Sequence, residues 1–92
     1  MAITREIRDR SGEGRALNNL GIAYESLGQY ARAIDFHEQA LALFRELGDR
    51  ASEGAVLGNL GSAYVSLGQY PRAIDFYEQH LAIAREIGRA HV

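Results

Sequence analysis

Residues 17–41, LNNLGIAYESLGQYARAIDFHEQAL, recur almost unchanged as residues 57–81, LGNLGSAYVSLGQYPRAIDFYEQHL. Aligning residues 11–50 with residues 51–90 without a gap gives 25 identical positions out of 40. A period between about 20 and 50 residues is typical of repeat architectures, in which each unit buries its apolar face against its neighbours. The duplication predicts two consecutive units, repeat 1 at 11–50 and repeat 2 at 51–90. It also favours a binding or assembly surface over a catalytic pocket.

Each repeat contains two stripes of apolar residues at helical spacing. In repeat 1, Leu20, Tyr24 and Leu27 follow one another at intervals of three or four residues, which places them on one helix face. Gly28 interrupts this pattern, and a second stripe begins at Ala33. The spacing predicts an all-α fold of antiparallel helix hairpins without strands. The predicted helices cover about 11–27 and 30–47 in repeat 1, and about 51–67 and 71–87 in repeat 2.

Glycines mark both helix ends and helix interiors. Gly48 and Gly88 follow the second helix of each unit and predict left-handed C-terminal caps, because glycine adopts a positive φ without a Cβ clash. Gly21 and Gly61 lie inside the first helices, where each costs about 1 kcal/mol relative to alanine. We expect a compensating close approach of the paired helix, around Ala33 in repeat 1 and its equivalent in repeat 2.

The first ten residues resemble the end of a repeat. Their sequence, MAITREIRDR, matches the stretch ALFRELGDR that closes repeat 1. We therefore expect residues 1–10 to be the C-terminal stub of a preceding repeat, and the chain to be a fragment of a longer array. Arg8 stands where both later copies have glycine, so the stop signal is missing there and one continuous helix is predicted over residues 2–27.

Composition narrows the class of protein. The chain has 92 residues, which allows one domain with a small core. Its net charge of −2 disfavours nucleic acid as a partner, because nucleic-acid-binding proteins present basic faces. The absence of cysteine excludes disulfides and thiol nucleophiles. Because it has neither a long apolar run nor a signal-like start, we expect no membrane partner and a cytoplasmic location.

Both repeats resemble the tetratricopeptide repeat (TPR) family. The family pattern has a large apolar residue, Leu-Gly, Tyr, a small residue, an aromatic residue and a second small residue. The corresponding residues are Leu17, Leu20, Gly21, Tyr24, Ala33, His37 and Ala40 in repeat 1, and Leu57, Leu60, Gly61, Tyr64, Ala73, Tyr77 and His80 in repeat 2. The resemblance covers nearly the whole chain. It implies antiparallel helix hairpins stacked as a short right-handed α-solenoid.

Three features depart from the usual family pattern, and one of them is that the family's closing proline is absent. The period is 40 residues rather than 34, which adds about one helical turn split between the two helices. His80 also replaces the second small residue. The longer period is similar to the subclass found in Pins-type adaptors and in bacterial multi-repeat signalling proteins. That subclass implies binding of peptides or protein partners, with no catalytic residues, no cofactor and no metal.

In this family the first helix of each hairpin lines the concave face, so its residues outside the core are implied to bind the partner. The candidate peptide-binding residues are Arg15, Asn18, Asn19, Ile22, Glu25, Ser26, Asn59, Ser62, Val65 and Ser66. Asn19 and Asn59 occupy positions where family members clamp the backbone of an extended peptide, which suits an amide with two donors and an acceptor. The alternative is that each asparagine braces a neighbouring helix.

Two more specific chemistries find little support. Family members that bind chaperone tails carry lysine or arginine at positions where this chain has Asn18 and Gly58, so we do not expect that activity. The three histidines, His37, His80 and His91, lack the spacing of metal ligands, and there is no cysteine to join them. We expect His37 and His80 to pack at helix interfaces instead.

Two functional classes remain open. The first is a non-catalytic protein–protein interaction module that presents a concave groove to a peptide. The alternative is a self-assembling element, in which uncapped repeat faces stack end to end or helices swap between chains to form homo-oligomers. Ile3 and Ile7 make the swap concrete, because they form an apolar strip on a stub too short to be a stable helix alone.

Overall fold

Four α-helices and the turns between them make up residues 2–90. The computed structural model describes the backbone of residues 2–90, in which there is no strand, and the side chains of residues 6–90. The helices are α1 (Ala2–Ser26), α2 (Tyr30–Leu47), α3 (Arg50–Ser66) and α4 (Tyr70–Ala90). The predicted all-α fold is confirmed, and α1 runs past Arg8 as one helix. The side chain of Ile3 and all of His91 lie outside the described residues.

The turns inside the two hairpins share one backbone conformation. Gly28 and Gly68 have φ angles of 77° and 75°, in the left-handed region that favours glycine. The N–H of Gln29 donates to the carbonyl of Tyr24 at 2.8 Å, and its counterpart in the second hairpin measures 2.9 Å. These bonds satisfy carbonyls that the helix end leaves without partners. The chain therefore reverses within three residues and sets each helix pair antiparallel.

The junction between the hairpins differs from the end of α4. Gly48 has a φ of 70°, and Asp49 beside it accepts hydrogen bonds from the backbone N–H and the hydroxyl of Ser52 at 3.1 and 2.7 Å. The predicted cap at Gly88 is wrong, because α4 continues to Ala90 and Gly88 has no positive φ. An arginine follows Gly88, so the side chain that would begin a further helix by capping it is missing.

Each helix packs mainly against its neighbours in the chain. α2 contacts α1 and α3, whereas α4 contacts α3, and α1 touches α3 along a short line. The Cα positions span 45 × 33 × 16 Å, which is a thin slab. In such a slab only the helices with a neighbour on each side, α2 and α3, can be covered well.

The core accordingly lies where the two hairpins meet. Its buried residues are Ile34, Ala40, Leu41 and Phe44 of α2, Val56, Leu57, Leu60, Ala63 and Tyr64 of α3, and Ala73 and Ile83 of α4. From α1, the partly buried Leu17 packs against this cluster. The apolar stripes predicted for the outer helices are covered only in part. Leu20 of α1 and Leu81 of α4 are exposed, because no helix packs against those faces.

Gly21 and Gly61 allow a close approach of the paired helix, but the partner is not the predicted alanine. A Cβ on Gly21 would lie 2.6 Å from the ring of His37, and a Cβ on Gly61 would lie 2.7 Å from the ring of Tyr77. Contacts this short are essentially never made by real Cβ atoms. The ring belongs to the residue one helical turn beyond Ala33, where a large side chain fills the space that the methyl group of alanine cannot reach.

Candidate functional site

The ten candidate residues divide into a half-buried group and an exposed group, all on α1 and α3. Asn18, Glu25, Asn59 and Ser62 are half-buried. The exposed residues are Arg15, Asn19, Ile22 and Ser26 of α1, and Val65 and Ser66 of α3. The first group joins the two helices to each other, and the second group projects from them.

Hydrogen bonds among the half-buried residues connect α1 to α3. The amide nitrogen of Asn59 donates to Oδ1 of Asn18 at 3.1 Å, and the hydroxyl of Ser62 donates to a carboxylate oxygen of Glu25 at 3.2 Å. Each bond spans about forty residues of sequence, so both are contacts between the two hairpins. They fix α1 and α3 side by side, and Asn59 therefore braces a neighbouring helix with one of its two donors.

His37 of α2 is a further member of this polar cluster. Its ring is fully buried, and Nδ1 lies 2.8 Å from Oδ1 of Asn18. Because that oxygen also accepts the bond from Asn59, Nδ1 carries the hydrogen and donates. Nε2 has no hydrogen-bond partner and lies 3.9 Å from a carboxylate oxygen of Glu25. Burial lowers the pKa of His37 below its usual value of 6.5, since the charged ring would lose its hydration.

The second hairpin has no equivalent of this cluster. Where the first hairpin has Asn18 and His37, the second has Gly58 and Tyr77. A Cβ on Gly58 would lie 3.3 Å from the ring of His80, whose Nδ1 donates to the carbonyl of Gly54 at 2.6 Å. In the second hairpin, His80 in place of a small residue therefore occurs together with Gly58 in place of an asparagine. Sequence reasoning missed the bond between positions 18 and 37, although their joint change between the two copies was a signal for it.

A cleft opens beside the cluster. It has a volume of roughly 140 Å³ and is lined by Arg15, Asn18 and Asn19 of α1, Phe44 of α2, and Ser52 and Ala55 of α3. Three of these six residues belong to the candidate set, and the six together offer a guanidinium, two amides, a hydroxyl and an aromatic ring. This combination suits the peptide groups of an extended chain, which need both donors and acceptors.

A group of charged residues outside this cleft was also missed. Glu53 is buried, with its carboxylate 3.1 Å from the guanidinium of Arg45 and 3.0 Å from that of Arg50. Arg50 also bonds to Glu86 at 2.6 Å, and these carboxylates raise the pKa of the arginine. The cluster binds α2, α3 and α4 together. Its charges are matched within the fold, so it does not present an unpaired binding site.

Neither a metal-binding cluster nor a membrane-spanning helix is found in the part of the chain that the structure describes. Among residues 2–90, His, Asp and Glu side chains do not gather in a group of three or more that could hold a metal. None of the four helices combines the length and the low polarity needed to cross a bilayer. What the described residues do provide is a rigid pair of helices bearing polar and apolar side chains.

Stacked helix hairpins with this geometry define a class of protein, the helical-repeat scaffolds. The family model for the tetratricopeptide repeat matches residues 1–46 and 12–86. The chain belongs to the tetratricopeptide repeat family, whose members are generally non-catalytic and bind protein partners. No match was found among the curated proteins.

A solved structure agrees with this assignment at the level of the fold. The crystal structure of the TPR domain of Arabidopsis FLU superimposes on this chain with a TM-score of 0.79. The alignment covers 92% of this chain and 71% of that one, at 24% sequence identity. At this identity the similarity establishes the helical-repeat solenoid alone.

Proposed function

We propose that this chain is a protein–protein interaction module that binds an extended peptide, or a partner segment, in a groove along α1 and α3. One observation carries the proposal. Hydrogen bonds that Asn59 donates to Asn18 and that Ser62 donates to Glu25 hold these helices side by side, and exposed side chains of the candidate set lie along both. The binding surface is therefore pre-organised, which reduces the entropy lost on association.

Asn19 is the residue to which we assign the clamp on the peptide backbone. It is exposed and lines the cleft with Arg15. Asn59 uses one donor inside the fold, which leaves a second donor and its carbonyl oxygen for a ligand. Ile22 and Val65, both exposed, would contact apolar side chains of the bound segment. The chemistry thus favours a peptide with alternating backbone and apolar contacts over a highly charged one.

The experiment is a selection of peptides from a random display library, followed by titration of the best binder. Amide chemical shifts in NMR spectra locate the contact, and calorimetry gives the affinity of each variant. Asn19→Ala is expected to weaken binding about three- to tenfold, the worth of one hydrogen bond. Gln39→Ala is the matched control, because it removes an exposed side-chain amide from α2, where its recorded bond is to Asp35 at 3.4 Å.

Two results would overturn the proposal. One is a set of shift changes confined to the outer surfaces of α2 and α4. The other is an equal effect of Asn19→Ala and Gln39→Ala on the affinity. Circular dichroism of both variants confirms that each keeps its helices.

A second candidate function, self-association, is favoured by exposed apolar side chains on the outer helices. Leu20 of α1 and Ile74, Tyr77 and Leu81 of α4 are all exposed. We propose that these are faces of a repeat array, which either further repeats or other copies of the chain cover. Light scattering over a concentration series tests the second arrangement, since an average mass that rises with concentration supports it and a constant monomer mass contradicts it.

A further inference from the structure

Resting on the self-association just proposed, a specific arrangement follows from the repeat itself. We propose that a second copy docks the exposed face of its α1 on the exposed face of α4, in the register with which α3 packs on α2 inside each chain. The partner is therefore an identical molecule, and the contact is head to tail.

On α4, the side chains of the α2 face that packs against α3 occur a second time, without a helix to cover them. Residues forty positions apart have the same or similar side chains but opposite environments. The pairs are Ile34 and Ile74, His37 and Tyr77, and Leu41 and Leu81, whose exposure rises from 9, 0 and 6% in α2 to 57, 41 and 46% in α4. The face that binds α3 within the chain thus has an uncovered copy on the last helix.

The complementary half of the interface is uncovered on α1. Leu60 and Ala63 of α3 are fully buried at the contact between the hairpins, whereas their equivalents Leu20 and Ala23 are exposed. The molecule therefore carries, at its two ends, both halves of an interface that it already forms once in its middle. Docking one on the other buries the apolar surface of both, which is the main driving force for association.

The positions of charged residues on α1 and α4 agree with this register. Inside the chain, Arg45 of α2 bonds to Glu53 of α3 at 3.1 Å. The residues forty positions away are Arg85 of α4 and Glu13 of α1, and both are exposed. In the docked pair, Arg85 of one copy meets Glu13 of the other with the same geometry, so the ends attract.

The hydrogen bond between Ser62 and Glu25 would be replaced, at the contact between copies, by a pair of apolar side chains. Inside the chain the hydroxyl of Ser62 donates to Glu25 at 3.2 Å. At the junction between copies, the equivalent residues are Ile22 of the second copy and Val65 of the first, both exposed. A polar pair becomes an apolar pair, so neither side chain is left against an unsuitable partner. Because Ala84 replaces Phe44 beside this junction, the contact between copies fills less volume than the internal one and is weaker.

Such an interface is heterologous, since the two surfaces differ. It leaves a free face at each end, so copies add one after another rather than stopping at a dimer. This property distinguishes it from a symmetric pairing of α4 with α4.

The test uses two one-sided variants. Leu81→Glu blocks the α4 face, and Leu20→Glu blocks the α1 face; both side chains are exposed, so the fold is not disturbed. Light scattering and sedimentation should show the wild type growing with concentration and each variant alone at least tenfold weaker in self-association. An equimolar mixture should form a 1:1 dimer that does not grow. Ala42→Glu, which adds the same charge at an exposed site of α2, should behave as the wild type.

The outcomes distinguish the head-to-tail register from self-association itself. A wild type that stays monomeric at all concentrations overturns both. A wild type that associates, together with a Leu20→Glu variant that still dimerises alone, leaves self-association standing but overturns the head-to-tail register. Association unaffected by either variant would also overturn the head-to-tail register.

Discussion

The two hairpins share 25 of 40 aligned residues and the same stacked aromatic pair, yet they are buried very differently. Tyr24 stacks on Phe36 with ring centroids 5.4 Å apart in the first hairpin, and Tyr64 stacks on Phe76 at the same distance in the second. By contrast, α2 lies between two helices and α4 is covered on one side. The repeat sequence therefore determines the hairpin, whereas the position of the hairpin in the stack determines which residues form the core.

The largest expected difference concerns one leucine in its two environments. Leu60→Ala should lower the free energy of unfolding by about 2–5 kcal/mol, because it leaves a cavity in a fully buried site. Leu20→Ala, at the equivalent exposed position, should cost less than about 1 kcal/mol. Urea denaturation followed by circular dichroism, at a concentration low enough to limit association, measures both. Equal losses would contradict the difference in burial.

The next comparison uses the interior glycines. Gly21→Ala should destabilise by about 1–3 kcal/mol, because the new methyl group overlaps the ring of His37, which is fully buried and has no open side to turn into. Gly61→Ala meets the ring of Tyr77, which is exposed on one side and can turn away, so a smaller loss is expected.

Gly12→Ala is the control within α1. A Cβ there would touch only the end of the Arg15 side chain, at 3.8 Å. Thermal unfolding should show a gain of up to about 1 kcal/mol from helix propensity. If Gly21→Ala were as stable as this control, the close packing of His37 against Gly21 would be disproved.

A smaller difference separates the two asparagines. Asn59→Ala removes the bond to Asn18 and should cost about 0.5–1.5 kcal/mol of stability. Asn19→Ala changes an exposed side chain and should stay within about 0.5 kcal/mol. Chemical denaturation of the two variants measures this difference, and the reverse order would mean that the bridge between α1 and α3 is unimportant.

The smallest expected effect concerns the pH dependence of the free energy of unfolding. Burial lowers the pKa of His37 in the folded state, so below pH 6.5 the unfolded chain binds more protons than the folded one. Stability contributed by the neutral ring is fully present above that pH and is lost as the pH falls towards the lower pKa of the folded state. His37→Gln should therefore reduce the loss of stability between pH 7 and pH 5, measured by denaturation at each pH. An unchanged slope would argue against a buried neutral ring.

Much of the fold could be predicted from the sequence because it depends on local signals. The spacing of apolar residues and the turn glycines indicated all four helices, and the missing glycine at Arg8 indicated the continuity of α1. The end of α4 could not be predicted from Gly88 alone, since glycine stops a helix only where the following residues support the stop.

The site was predicted less well because its contacts are not local. Asn18, Glu25, Asn59 and Ser62 were selected as ligand-binding residues, but the bonds among them join residues in different hairpins. His37 is fully buried, whereas Tyr77 at the equivalent position of α4 is exposed, and the sequence of its own helix does not reveal this difference. The assignment of Arg15, Asn19, Ile22, Ser26, Val65 and Ser66 to a peptide groove stays a prediction.

Hydrogen exchange tests most directly whether the place in the stack, rather than the copy of the sequence, decides stability. The amides of the 92-residue chain are followed by NMR at a concentration low enough to limit association. We expect the slowest exchange in α2 and α3, with faster exchange in α1 and in α4. Equal protection of α2 and α4, whose sequences match so closely, would contradict it.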